Sequence, residues 1–500
     1  MRSFRPATAA VVLALSVLLA GTTAPSSYAD PGRPDLPANA SERAAQALEV
    51  VEALKQGVDL DIEPSMALRA LFLLRGELRG EDREQADRFL ARPDGQSPGY
   101  DGDQLWRPGA EARPECNSRI CVHYVTSGTH AATYRQARAT LANMTRSWNR
   151  EVGDLGYRAP RRDGSRGNRA GYPATRGKRD VYLVEMSRFY PGAFALAVPE
   201  NDPAGTSDGN PRTATGYMVL DQDFAEYGCP SPANCRRVTA AHELFHLVQY
   251  AYSMMRESDR WFMESTATWM EERVFDGIND NRHYLPYGQL GRPRDPLTKT
   301  DGPSRTDVNA PYGNWLLHEF YTQRRGNAVV KRAWYYASRG RGWRSAMAAA
   351  LNRSGWSWNG MYTAYAANNN LPAVTYPEGR AYRSAAAGPV KKRATSSVSP
   401  TLQPHSSASF RFFPGHDGLL DGSTGPRITL DVDLEAGTNH RAYVIVVHDD
   451  GTVRRYLIRL DSRGHGVRSF PFRGTDVRHV TLTLVNASPK SAGATYAASN

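Results

Sequence analysis

His242, Glu243 and His246 stand in the order H-E-x-x-H. On an α-helix, residues four apart differ by about 40° around the axis and about 6 Å along it. Both imidazoles therefore leave one face and can converge on a single tetrahedral zinc ion. Glu243 lies beside them, where a carboxylate can take a proton from a water that the metal activates. The flanks predict the helix: Val238, Ala241, Phe245 and Val248 recur at spacings of three and four, and no Gly or Pro interrupts residues 239–250. The bland alternative is a solvated helix face, which the apolar flanks disfavour.

Catalytic zinc keeps three protein ligands and one open position. Glu264 follows His246 by eighteen residues, in the run Trp261-Phe262-Met263-Glu264-Ser265-Thr266-Ala267-Thr268-Trp269-Met270-Glu271-Glu272. That spacing lets the first helix end, the chain turn through residues 256–259, and a second helix return alongside. Apolar neighbours Phe262 and Met263 predict burial, and a buried carboxylate needs a partner. Ser265 and Ala267 are small enough to let two helix backbones approach.

These two segments resemble the gluzincin class of zincin metallopeptidases, and more narrowly secreted bacterial members with an E-S/G-T-A-T-W-M-E run. The resemblance covers roughly residues 115–375, and only the two helices are specific. It implies His242, His246 and Glu264 as zinc ligands and Glu243 as general base. One position departs from it. The best-known gluzincins carry an acid one turn after the ligand glutamate, where this chain has Thr268. The partner that orients the histidine must then come from elsewhere, Glu271 or Glu257, and the sequence does not choose between them.

The elements that must position these residues follow from the rest of the chain. Residues 1–29 read as a secretory signal: Arg2 and Arg5, an apolar core over 7–20, and Ser27-Tyr28-Ala29 before Asp30. Residues 30–110 read as a helical segment, with Ala44, Leu48, Val51 and Leu54 on one face and Ala67, Leu68, Leu71, Leu73 and Leu74 as a second apolar set. It is either a pro-segment that covers the site or a permanent helical cap. Residues 92–99 read as a linker within it. Residues 111–383 are expected to form an α+β zincin-like domain with a mixed-sheet lobe and a helical lobe. Its strands are predicted near 122–125, 180–184 and 216–220, with a helix over 131–152. The run 216–220, if an edge strand, would offer backbone groups to an extended peptide beside the metal. Residues 161–180 read as a mobile basic loop, with substrate contact as the alternative. The run 276–281 invites a calcium reading but lacks a glutamate at position twelve, and is read as a turn. Helices are expected near 312–320, 327–338, 344–350 and 361–367. Residues 384–402 read as an exposed linker, and residues 403–500 as a C-terminal antiparallel β-sandwich of short alternating strands. That domain is read as a rigid appendage or a module for cell-wall or glycan contact.

A zincin also needs a donor for the oxyanion. Tyr312, His318, Tyr250 and Tyr252 are the candidates, with Tyr312 favoured because it opens a helix after Asn309-Ala310-Pro311. His283 and His318 read as surface or packed histidines rather than ligands. Cysteines at 116/121 and 229/235 form two close pairs; local disulfides are expected in an exported protein. The excess of 62 basic over 51 acidic residues gives +11, but the charge is spread, so nucleic acid is not an expected partner. No later stretch reaches membrane-spanning length. The expectation is a secreted, extracellular zinc peptidase acting on protein or peptide. The alternatives are an inactive zincin-fold binding protein and a zinc hydrolase of a non-peptide bond.

Overall fold

The computed structural model describes residues 39–58, 60, 62–94, 110–201, 212–225, 231–300, 308–382, 386–414, 425–437 and 439–500. The signal segment 1–29 and Cys229 lie outside the described residues.

The described residues begin with three helices, α1 Ala40–Lys55, α2 Pro64–Leu74 and α3 Gly80–Phe89. Asn39 caps α1 by accepting from the Glu42 amide, and the face that turns inward is the predicted Ala44, Leu48, Val51 and Leu54. In α2, Ala67, Leu68 and Leu71 are buried as expected, whereas Leu73 faces solvent.

A five-stranded mixed sheet follows, built from β1 Glu115–Cys116, β2 Ile120–His123, β3 Arg179–Val184, β4 Ala195–Glu200 and β5 Thr215–Asp221. Helix α4 Tyr134–Trp148, opened by a Thr133/Gln136 capping box, crosses between β2 and β3. A short α5, Met186–Phe189, follows β3. The spatial order is β1-β2-β3-β5-β4. β2, β3 and β5 run parallel, and β4 pairs antiparallel with β5. The strand predicted at 216–220 is therefore internal, and the edge belongs to 195–200, which the sequence reading did not find. Pro199 and the alanines at 195 and 197 hide its β character.

Successive side chains of a strand face opposite ways, and both faces of this sheet are covered. Val181, Leu183, Met218 and Leu220 pack below with α4 and the helices after β5. Tyr182, Val184, Tyr217 and Val219 pack above with α1, α2 and α3. The N-terminal helices are thus one layer of the core.

Helices α6 Pro232–Tyr252 and α7 Arg260–Phe275 lie under the sheet, followed by α8 Ala310–Gly313, α9 Trp315–Arg325, α10 Ala328–Ala337, α11 Trp343–Asn352 and α12 Trp358–Asn368. These form the expected helical lobe. Residues 276–281 are a turn, with Asn279 in the left-handed region at φ 59°.

The basic loop before β3 is fastened rather than free. Arg92, 2% exposed, pairs with Asp163 at 2.6 Å, with Glu200 at 2.7 Å and with Asp180. Gly167 passes so close that a Cβ there would stand 2.0 Å from Asp180 Oδ2, and its φ is +68°, so only glycine fits. His123 completes this buried charge cluster, 2.7 Å from Glu111 and 3.0 Å from Asp180.

The C-terminal strands are β6 Val390–Lys392, β7 Ser396–Val398, β8 Thr401–Leu402, β9 Ser406–Phe412, β10 Arg427–Leu434, β11 His440–His448, β12 Val453–Ile458, β13 His465–Pro471, β14 Val477–Asn486 and β15 Ala492–Ser499. They form two sheets, β13-β10-β15-β7 with β8 attached to β15, and β12-β11-β14-β9-β6. Phe410, Leu430, Val444, Leu482 and Tyr496 fill the space between them. The predicted linker 384–402 is in fact partly strand. β6, β7 and β8 belong to the sandwich, and β6 pairs parallel with β9. The sandwich rests on the helical lobe at His405, a left-handed residue (φ 48°). Its carbonyl accepts from the Leu297 amide at 3.1 Å, from Gln289 Nε2 at 2.6 Å and from the Tyr362 hydroxyl. Trp343 and Trp358 pack on its ring.

Cys116 and Cys121 form a disulfide, as expected, and Cys235 is disulfide-bonded. Among the described residues no helix is long and apolar enough to cross a membrane.

Candidate metal centre

α6 begins at Ser231, whose side chain accepts from the Asn234 amide, with Pro232 at the first helical position. From Val238 to its end the helix is buried all round, as a helix between a sheet and other helices must be. α7 packs alongside and is equally buried. Glu264, Thr268 and Glu271 fall at i, i+4 and i+7, so they form one stripe, and the two glutamates of that stripe meet His242 of α6.

His242, His246 and Glu264 come together with ligand atoms all within 4.8 Å. His242 Nε2 is 3.1 Å from Glu264 Oε2, and His246 Nε2 is 3.6 Å from Glu264 Oε1. Ligands about 2 Å from a tetrahedral ion stand about 3.3 Å apart, so these separations suit one. His246 Nε2 and Glu264 Oε1 are buried with no hydrogen-bond partner, as is Glu243 Oε2. Buried polar atoms are ordinarily satisfied; here three such atoms belong to one cluster, and a cation answers for the first two. The donor set fits a metal ion.

Each imidazole is held from behind. His242 Nδ1 is 2.7 Å from Glu271 Oε1, which decides between the two acids the sequence left open. Glu257 instead pairs with Arg69 at 3.0 Å. Thr268 Oγ1 donates to the Glu264 carbonyl at 3.0 Å. His246 Nδ1 is 2.9 Å from Gln249 Oε1, and Gln249 Nε2 donates to the Met263 carbonyl at 2.9 Å. The sequence reading missed Gln249, although its i+3 spacing from His246 places it on the same face.

The protonation pattern follows from burial and charge. Burial opposes the charged form of His242, but the bonds to Glu264 and Glu271 outweigh it and raise its pKa well above the ordinary value. Burial would raise Glu264, yet His246 and His242 hold it below the usual carboxylate range. Burial pushes Glu271 up to about 7 and also raises Glu243, against the pull of His246 and His242.

Tyr312 stacks on His242, ring centroids 5.6 Å apart and planes 20° apart, and is itself stacked by Tyr284 at 4.9 Å. The other expected oxyanion donors are elsewhere. Tyr250 donates to the Ala197 carbonyl at 3.0 Å, Tyr252 accepts from the Arg158 amide, and His318 lies in the core 2.8 Å from Ser265 Oγ. Ser265 therefore faces α9 instead of easing the approach of α6. His283 is a surface residue, as expected.

A residue without any local signal also reaches the centre. Glu63, the N-cap of α2, lines a cavity of about 10 Å³ together with Glu264 and Tyr312. Burial first, then the neighbouring Glu264 and Glu243, push its carboxyl up to about 8. A roomier cavity of about 640 Å³ lies away from the donors, between α3 and the end of β4.

Two further groupings of metal-ligating types are less apt. Cys121 near His123 and Asp180 is consumed by its disulfide. In the grouping of Glu272, Asp276 and Glu378, Glu378 pairs with Arg282 at 2.7 Å and Glu272 accepts from Asn281 at 2.9 Å.

No family model matches the chain, and no curated protein matches it. Solved structures similar to parts of it include a de novo designed double-stranded β-helix, at 12% identity over 21% of this chain and 99% of that one, TM-score 0.13. The Yersinia pseudotuberculosis-derived mitogen matches at 12% identity over 21% of this chain and 83% of that one, TM-score 0.15. A 4-O-methyl-α-glucuronidase with specificity for decorated arabinogalactans matches at 11% identity over 69% and 53%, TM-score 0.14. At these scores the likenesses carry no functional argument.

Proposed function

We propose that the chain is a secreted, zinc-dependent peptidase of the zincin type that hydrolyses peptide bonds in a protein or peptide substrate. The observation that carries this reading is the meeting of His242, His246 and Glu264 at tetrahedral spacing, with Glu243 beside them holding a free carboxylate oxygen. Two nitrogens and one carboxylate are the donor set of hydrolytic zinc. Zinc bound there would lower the pKa of a water molecule and polarise the scissile carbonyl. Glu243 would take a proton from the attacking water and pass it to the leaving amine. Tyr312 keeps its phenolic proton, because burial and then Glu264 and Glu63 push its pKa up, so it can donate to the developing oxyanion. Glu271 and Gln249 fix the two rings. Export is supported by the N-terminal sequence and by the Cys116–Cys121 disulfide.

The test is Glu243→Gln. We expect about one zinc per chain in parent and variant by elemental analysis, and casein cleavage reduced roughly 10²–10⁴-fold in the variant. A variant as fast as its parent defeats the reading. A zinc-loaded parent that turns over an ester but no peptide replaces it with a non-peptide hydrolase.

A further inference from the structure

The substrate side of the centre is filled by the chain's own N-terminal block. The cavity against Glu264 and Tyr312 is closed by Ile62, Glu63 and Met66, and its roughly 10 Å³ holds no more than a water. A peptide reaches the donors only in the fraction of molecules in which the first turn of α2 has moved aside.

The edge strand is taken as well. Along an exposed edge an extended peptide pairs through free backbone groups. At Ala197 of β4, the amide donates to Ser65 Oγ at 3.3 Å and the carbonyl accepts from Tyr250. The first turn of α2 thus lies where an added strand would pair. Arg69, fully buried one turn further on, locks this placement. It donates to the carbonyls of Met254 at 2.6 Å and Arg256 at 2.9 Å and pairs with Glu257, all on the connection between α6 and α7.

The choice of residue at 63 adds a third observation. Glu63 caps α2 by accepting from the Met66 amide at 2.9 Å. Ser, Thr, Asp and Asn are the favoured caps, so capping alone does not call for a glutamate. A carboxylate is, however, a ligand for the open position of a zinc site. Three carboxylates, Glu63, Glu243 and Glu264, gather here, an arrangement that a dication relieves.

We propose that residues 62–66 are an internal inhibitor seated in the substrate groove of this site, with the Glu63 carboxylate blocking the open face of the metal donors. The proposal rests on the metallopeptidase reading above. The groove then opens when the first turn of α2 moves aside, which frees the Ala197 amide from Ser65 for an extended peptide.

The test uses the full chain loaded with cobalt(II) and the variant Glu63→Ser, which keeps a favoured cap and removes the carboxylate. Acetohydroxamate is titrated against the cobalt absorption bands. A blocked site lowers apparent affinity by the blocked fraction, so binding should tighten at least about tenfold in Glu63→Ser, with a visible spectral change before any ligand is added. Peptide cleavage by the zinc-loaded protein should rise in step, and adding Glu243→Gln should abolish the rise. If cobalt binds one per chain and neither spectrum nor hydroxamate affinity changes, Glu63 is a structural cap and the proposal falls while the metal centre stands. If cobalt does not bind at His242, His246 and Glu264 at all, the reading beneath it falls too.

Discussion

Glu271 behind His242 would make that ring a stronger donor to a metal ion. The 2.7 Å contact at Nδ1 fixes the tautomer that leaves Nε2 for a metal. Removing it in Glu271→Ala should weaken zinc binding about 10–100-fold, measured by competition with a chelating dye. Unchanged affinity would show that the ring is oriented by packing alone. The convergence of His242, His246 and Glu264 was legible from residue types and spacing, since H-E-x-x-H needs only helical geometry. Choosing Glu271 over Glu257 was not, because it depends on how α7 rolls against α6, and local sequence does not encode that angle. Glu63 was less legible still. It lies about 180–200 residues from the groups it faces, and nothing around it resembles a ligand motif.

Among the elements, helices with one apolar stripe were easiest to read. α1 buries the four residues its periodicity predicts. Strand β4 escaped because alanine and proline mask it, and the same omission put the sheet edge in the wrong place. β5 pairs on both sides, and Gly216 lets β4 and α6 close on it: a Cβ there would stand 2.5 Å from the Val198 carbonyl and 2.9 Å from Leu247. β2 and β3 are stapled to the exit of α3 by the cluster of Arg92, Asp163, Asp180, Glu200, Glu111 and His123. Burial opposes protonation of His123, but Asp180 and Glu111 outweigh it and lift its pKa from 6.5 to about 9. The charged ring therefore stabilises the fold fully below about pH 6.5, and that stability is lost as pH rises through about 9. Thermal midpoints should fall between those values. His123→Gln should be less stable at pH 6.5 and show a flatter decline, a difference on the order of 1 kcal/mol. Parallel pH profiles for parent and variant would exclude His123 as the source.

At the scale of the whole molecule, the α+β core and the C-terminal sandwich were both visible as textures, alternation of period two against spacings of three and four. Their attachment was not. Residues that look like a spacer enter the sheets as β6, β7 and β8, and the seam is built from Trp343, Trp358, Tyr362 and His405. Deleting residues 390–500, strands β6 to β15, bares the rings of Trp343, Trp358 and Tyr362. The truncated chain should melt at least about 5 °C below the full chain and bind a hydrophobic dye, while the full chain melts in one calorimetric transition. An unchanged midpoint would make the sandwich an independent appendage.

The His405 carbonyl receives three donors from two different stretches of the helical lobe, and the Ala487 carbonyl accepts from Arg344 and Trp358 of the same lobe. A hinge cannot form where one acceptor is shared three ways from a left-handed residue, because any rotation breaks all three bonds together. The C-terminal sandwich is accordingly anchored to the helical lobe, so a change in access to the histidines falls to the first turn of α2 and not to the sandwich.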